Sequence, residues 1–454
     1  MSFDTLPFLL FATVVYLLWW TRIGPVSMLG AASILFYLVA GLDDALLIAV
    51  VVVVNFYFGF FVRGRPVALA TIISLNLLNL AFFKYRAFLL GGIAGLDSFS
   101  GQILIPLAIS FYTFQLIAYQ VDVASRRCEH ETNFQRFSLF VIFFPQLIAG
   151  PIVRAATMLP QIGRLWAGRP SRPIIRSVGL GLCALGVFKK VFLSDSLAPI
   201  VDEVFTHGPA DALSAWMGAW LFAFQIYFDF SGYCDIALGV AYLLGFRLPL
   251  NFRQPYLATS PREFWQRWHI TLSSWIRDYL YIPLGGSRDG GRLRAAVVLV
   301  GVMSLAGLWH GASFVFVVWG ALWGIYIALW RLAGRYLPDI VVLRWGVNMA
   351  VIVVLWVFFR SPDLAFAGGY LSVMFGGTAS GAAVLAGSAP ILALIGGAIL
   401  FALHYGEARM YSVKFLRVMR RADHPLTLGL LFGLIAAMLI LPKTGQNPFI
   451  YFRF

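Results

Sequence analysis

The sequence predicts an all-α integral membrane protein, one polytopic domain over residues 1–454 with roughly ten to twelve crossings. Three observations predict it. Hydrophobic residues make up 60% of the chain and charged residues 12%, with a mean hydropathy of +0.83; a soluble domain is about half apolar and about a quarter charged. Apolar runs follow one another with no polar linker between them. Lys and Arg gather in alternate short connections, as the positive-inside rule requires. The net charge of +14 therefore reads as cytoplasmic loops rather than a nucleic-acid surface. An aromatic content of 16% fits interfacial Trp and Tyr belts.

The first apolar runs cover about 5–20, 27–41, 45–62 and 67–83. Asp4 precedes the first and Arg22 follows it, which suits a retained helix and not a cleaved signal. Arg22, Arg63 and Arg65 alternate with Asp43 and Asp44 and with the Lys/Arg-free stretch 90–102, so the N-terminus is expected outside. A helix near 103–123 leads to Arg126 and Arg127. The segment 143–154 is apolar but carries Pro145, Gly150 and Pro151. Broken backbone at membrane depth is tolerated only inside protein or beside a cavity, so this segment reads as re-entrant or as a pocket wall.

Further spanning runs lie near 174–193, 214–245, 296–311, 313–333, 345–360, 364–376, 388–405 and 425–441. Between them, 247–294 is rich in Arg and Trp, and amphipathic helices at the cytoplasmic interface are expected there. Arg409, Lys414, Arg417, Arg420 and Arg421 mark another cytoplasmic segment, which sends the tail 443–454 to the external face. LPKTG at 441–445 matches a sorting signal only by chance, since no spanning helix and basic tail follow it.

Cys128, Cys183 and Cys234 have no metal or disulfide spacing and read as small buried hydrophobes. No metal site or tightly bound cofactor is expected. Of six histidines, His130, His207 and His424 fall in loops, and His404 ends an apolar run. His310 lies between two apolar runs, where an ionisable group is either functional or a core histidine bonded to backbone. A neutral buried imidazole is a good general base. His269, with Trp265 at i−4, Ser273 at i+4 and Arg277 at i+8, is expected on one helix face. Arg262, Arg267 and Arg277 suit phosphate oxygens; a basic interfacial helix anchored by Trp265, Trp268 and Trp275 fits the same residues. Asp229 and Asp235 sit inside an apolar run and need partners, with nearby Arg as candidates, or a wet cavity.

Six strings together resemble the membrane-bound O-acyltransferase superfamily. They are IPLAISFYTFQLIAYQVD (105–122), FPQLIAGPIVR (144–154), YFDFSGYCDIALG (227–239), NFRQPY (251–256), EFWQRWHITLSSWIRDYLYIPLGG (263–286) and GLWHGASF (307–314). The similarity is greatest to the bacterial branch that supplies acetyl groups for alginate and other exopolysaccharides. It implies a tunnel through the bundle, acetyl-CoA entering from the cytoplasm and a glycan acceptor outside. It also implies His310 as the catalytic histidine, and His269 as a second functional one. Arg267, Trp268, Ser273, Arg277, Asp278, Trp309, Asp229, Tyr233, Asp235, Asn251 and Gln254 lie in the same strings and form the candidate donor- and substrate-binding set. Cys234 departs from the family's usual Ser; beside a carboxylate in an apolar segment its thiol should be unreactive.

The tail NPFIYFRF carries an F-x-Y-x-x-F spacing through Phe449, Tyr451 and Phe454. By the same resemblance Tyr451 is a transient acyl carrier, handing acetyl to a separate extracytoplasmic SGNH-type acetyltransferase; an interfacial aromatic anchor is the other reading. D-alanyl transfer to teichoic acid from an acylated carrier protein is the rival within the family. A secondary transporter or flippase is the rival outside it. The apolar runs make the chain multi-pass and the basic connections put both termini outside; Ala-, Gly- and Arg-rich usage points to a Gram-negative inner membrane, with that external face expected to be periplasmic.

Overall fold

The computed structural model describes residues 3–19, 21, 24–93, 104–147, 150–168, 175–286, 291–378, 389–407 and 413–440. Among them every regular element is helical. In chain order these are α1 (Leu6–Trp19), α2 (Pro25–Ala40), α3 (Leu42–Gly59), α4 (Pro66–Leu80), α5 (Ile109–Ala124), α6 (Phe134–Ile142), α7 (Phe144–Leu147), α8 (Ala155–Trp166), α9 (Arg176–Val187), α10 (Asp195–His207) and α11 (Ala212–Leu243). There follow α12 (Pro261–Arg267), α13 (Ile270–Ile276), α14 (Gly291–His310), α15 (Phe314–Ala333), α16 (Val341–Arg360), α17 (Leu364–Met374), α18 (Ala389–Gly406), α19 (Val413–Arg421) and α20 (Pro425–Ile440). Tyr451 with the tail 443–454, and Arg22 and Arg409, lie outside the described residues.

Among the described residues six helices are long and apolar enough to cross a membrane, counting Pro66–Tyr85 and Arg176–His207 as continuous, and four shorter apolar helices accompany them. The chain is a multi-pass, all-α membrane protein. The run expected at 174–193 continues through a π-helical turn, Phe188–Ser194, into α10. Helix starts follow local chemistry. Pro25, Pro66 and Pro261 open their helices, where a missing N–H costs nothing. Ser260 caps α12 by accepting from the Glu263 N–H, while Ser313 and Asp363 do the same for α15 and α17.

The chain forms two compact units. The first comprises 1–184, 233–250 and 422–439. In it, Asn55 of α3 and Asn76 of α4 exchange amide hydrogen bonds of 3.1 and 2.9 Å, and Gln120 of α5 donates to the Asn55 carbonyl at 2.7 Å. Such amides hold helices together where lipid supplies no hydrophobic drive. Residues 143–147 and 150–153 are buried and comprise a short helix, a bend and irregular backbone. This is the irregular, protein-enclosed stretch expected from Pro145, Gly150 and Pro151. A Cβ on Gly150 would collide with the Gln146 backbone, so only glycine lets the chain turn back there.

The second unit comprises 185–232, 251–421 and 440–454. Its most extensive helix pair is α14 with α15. A Cβ on Gly307 would strike the Phe316 carbonyl, and one on Gly320 would strike the Met303 carbonyl. Gly320 and Gly324 stand four apart on α15, a small-residue stripe that lets the two backbones touch. Gly311 lies under the Phe316 ring, which turns the chain tightly after His310.

Candidate active site

His310 ends α14 and is 5% exposed. Its ring meets Trp319 edge-on at 5.2 Å and Phe359 at 5.3 Å, and Trp309 beside it at 5.0 Å. The α14–α15 glycine contact places Trp319 against this imidazole, because Gly320 follows it directly.

His269 is fully buried, with ring contacts to Phe230 at 4.8 Å and Trp309 at 6.3 Å. Trp309 thus lies between the two histidines. No helix runs through His269, contrary to the expected shared face with Trp265, Ser273 and Arg277. Its φ of 42° is left-handed and divides α12 from α13. The backbone there costs about 1–2 kcal/mol for a residue with a Cβ, and surrounding contacts hold it. The His269 carbonyl accepts from the Ser273 N–H, and Ser273 Oγ donates to the Trp268 carbonyl at 3.1 Å. From outside the helix, Asn251 Oδ1 accepts from Thr271 Oγ1 at 2.6 Å and its N–H at 3.3 Å, capping α13. Neither ring nitrogen of His269 has a hydrogen-bond partner among the described residues. Burial pushes this imidazole down to about 3, so it is neutral at pH 7 and keeps one N–H donor.

The interfacial-anchor reading of 261–276 is also corrected. Trp268 is 1% exposed and Trp275 6%. Trp268 packs on Phe264, Phe252 and Trp356 in the core of the second unit. Arg267 is engaged by Glu263 at 2.6 Å and by the Gln254 carbonyl at 3.4 Å. Gln254, itself left-handed at φ 49°, donates to the carbonyls of His404 and Tyr405. Arg277 is 63% exposed and pairs with Asp278 at 2.7 Å. These two arginines are therefore not assembled into one cluster with the histidines.

Asp229 meets a lysine, not an arginine: Lys190 Nζ donates to it at 2.7 Å and to Asp195 at 2.7 Å. The adjacent Lys189 pairs with Glu407, which also accepts from the Tyr227 hydroxyl at 2.5 Å. His404, expected only as a helix end, does end α18 but is fully buried. Its Nε2 accepts from the Tyr256 N–H at 3.3 Å, which leaves the Nδ1 proton facing Glu407 at 3.6 Å. Lys189, Lys190, His404 and Glu407 were missed by sequence reasoning. Two adjacent lysines in an apolar run were the available signal. The loop histidine His130 is likewise half-buried, bonded to Tyr119 and edge-on to Phe60.

Tyr233 and Asp235 belong to the first unit, where Tyr233 donates to Asp4 at 2.9 Å. Cys183 and Cys234 are buried as expected. In its loop, Cys128 has a thiol that burial, with help from Asp122, pushes up to about 11. No group of metal-binding side chains occurs among the described residues.

Buried histidines around a tryptophan, on a polytopic helical frame, define a class. Residues 127–361 match the membrane-bound O-acyltransferase family, and the chain belongs to that family. It is a membrane-embedded acyltransferase. Over 362 residues it is 38% identical to a probable alginate O-acetylase of Pseudomonas syringae, covering 76% of this chain and 68% of that one. Over 342 residues it is 36% identical to a peptidoglycan O-acetyltransferase of Helicobacter pylori, covering 66% and 63%. Similarity to a teichoic acid D-alanyltransferase of Bacillus subtilis is lower, 24% over 263 residues, covering 54% and 65%.

Proposed function

We propose that this chain takes an acetyl group from cytoplasmic acetyl-CoA and delivers it across an inner membrane for O-acetylation of an extracytoplasmic polysaccharide. The observation that carries the reading is the buried trio His269, Trp309 and His310. Greater identity to the O-acetylases than to the D-alanyltransferase supports acetyl as the group moved.

His310 takes the proton of the attacking hydroxyl as its oxygen bonds to the thioester carbon. The neutral His269 donates its N–H to the oxyanion that forms. The C–S bond then breaks, and the leaving sulfur recovers the proton from His310 as free CoA thiol. Arg267 and Arg277 serve the donor's phosphates. The F-x-Y-x-x-F tail favours Tyr451 as a first acceptor; its phenyl ester is reactive enough to pass acetyl to an SGNH-type partner outside.

The test is purified protein with isotopically labelled acetyl-CoA, read by CoA release and peptide mass spectrometry. His310→Ala should lose about 10²–10⁴-fold of CoA release while still eluting as folded protein. Undiminished release sinks the mechanism. Label on the C-terminal peptide at Tyr451 supports the relay; CoA release upon glycan addition without such label means direct transfer.

A further inference from the structure

The tryptophans joined to His310 through Trp319 have an unusual hydrogen-bonding state. Trp319, Trp323 and Trp356 are each 1% exposed. The indole N–H of each, and that of Trp265, is buried and meets no hydrogen-bond acceptor among the described residues. Two other indoles of the same unit are satisfied: Trp345 donates to the Tyr256 carbonyl at 2.8 Å and Trp216 to the Met374 carbonyl at 3.1 Å. Buried Trp N–H groups normally find partners, and each exception needs a reason.

The four exceptions form one cluster. Trp319 contacts His310 at 5.2 Å, Trp356 at 6.1 Å, Trp265 at 6.2 Å and Trp323 at 6.5 Å. Trp265 meets Trp323 at 5.0 Å. Trp319 and Trp323 are four apart on α15, so they lie on one face about 6 Å apart along the axis. A ligand suited to these groups is narrow and carries carbonyl acceptors spaced along its length. A glycan needs acceptors for its own hydroxyls, and the neighbouring rings Phe264 and Phe359 offer none. An acyl thioester on an amide-bearing pantetheine arm fits better: it brings one thioester carbonyl and two amide carbonyls, with two amide N–H groups and one hydroxyl spread along its length, whereas a sugar ring crowds its hydroxyls and has no carbonyl.

We infer that these indole N–H groups hold the acyl donor, Trp319 on the thioester carbonyl beside His310, and Trp323 and Trp265 on the amide carbonyls of the arm. The inference deepens the acetyl-CoA reading and rests on it. Trp323 and Trp265 are positioning residues for the arm, and they set preference for a donor that carries it.

The experiment compares acetyl-CoA with S-acetyl-N-acetylcysteamine, which keeps the thioester and only one amide. Purified full-length Trp319→Phe, Trp323→Phe and Trp265→Phe lose the N–H and keep an aromatic ring. Where a Phe variant fails to fold, 3-benzothienylalanine at that position removes only the N–H. Trp323→Phe and Trp265→Phe should raise KM for acetyl-CoA about three- to tenfold, as loss of one hydrogen bond predicts. At least one of these two penalties should disappear with the truncated donor. Trp319→Phe should lower kcat with both donors. Trp345→Phe, whose N–H serves the backbone, should leave both KM values unchanged. Values within twofold of wild type for all three variants overturn the inference, as do equal penalties with both donors for Trp323→Phe and Trp265→Phe. Wild-type protein that releases no thiol from acetyl-CoA defeats the acetyl-CoA reading itself and takes this inference with it.

Discussion

Lys190 Nζ lies 2.7 Å from the Asp229 carboxylate, and both side chains are 1% exposed. Asp195 completes the group on the same Nζ. Removing the shared cation while keeping both carboxylates is the costly change, since a buried charge stripped of its partner costs about 3–5 kcal/mol. Lys190→Met should therefore unfold at a markedly lower temperature in detergent, and adding Asp229→Asn should restore part of the loss. A single variant as stable as the double variant would show that the pair carries no such coupling.

The α14–α15 contact makes a steric prediction. Gly320→Ala puts a methyl group into the Met303 carbonyl, with backbone and no flexible side chain to yield. Forcing the helices apart should cost about 1–3 kcal/mol and displace Trp319 from His310, so activity and melting temperature fall together. Gly346→Ala on α16 meets nothing within 4 Å and should be neutral or slightly stabilising. Equal melting temperatures for the two variants would contradict the close backbone approach.

His269 combines a buried ring with left-handed backbone, and substitutions separate the two. Asn tolerates this conformation and Val does not. His269→Asn keeps the backbone conformation and should lose less stability than His269→Val, the lost ring packing aside, but it should lose at least about tenfold in kcat, as expected for a lost oxyanion donor. His269→Val should lose both. Wild-type turnover by His269→Asn would reduce the residue to a packing role.

Acid should act on the same ring. Its pKa is about 3 in the fold and near 6.5 when exposed. Between those values the unfolded chain binds a proton that the folded chain does not, so stability from this group is complete above about 6.5 and declines as pH falls toward 3. Thermal unfolding at pH 7 and pH 5 should show the drop, and His269→Asn should show less of it. A pH–rate profile should contain no ionisation near 6.5 that His269→Asn removes.

Much of the fold was legible because bilayer insertion is written in composition: apolar runs, prolines at helix starts and basic connections all read locally. His310 was legible for the same reason, as an imidazole between two apolar runs. His269 was placed on the right segment but the wrong backbone, since periodicity takes 261–277 as continuous helix. The break is imposed by the Asn251 cap from another part of the chain. Lys189 and Glu407 were not legible as a pair, being 218 residues apart.

By itself, the sequence determined that this chain is a helical membrane protein, and which histidines to suspect. The reason is that transfer free energy depends on each residue and its near neighbours. Only the tertiary structure decided which groups meet: the lysines that accompany Asp229 and Glu407, Trp309 between two histidines, and four clustered indoles without acceptors among the described residues, one of them against His310. Those relationships depend on backbone approach between distant helices, set at Gly307 and Gly320 by the absence of a side chain.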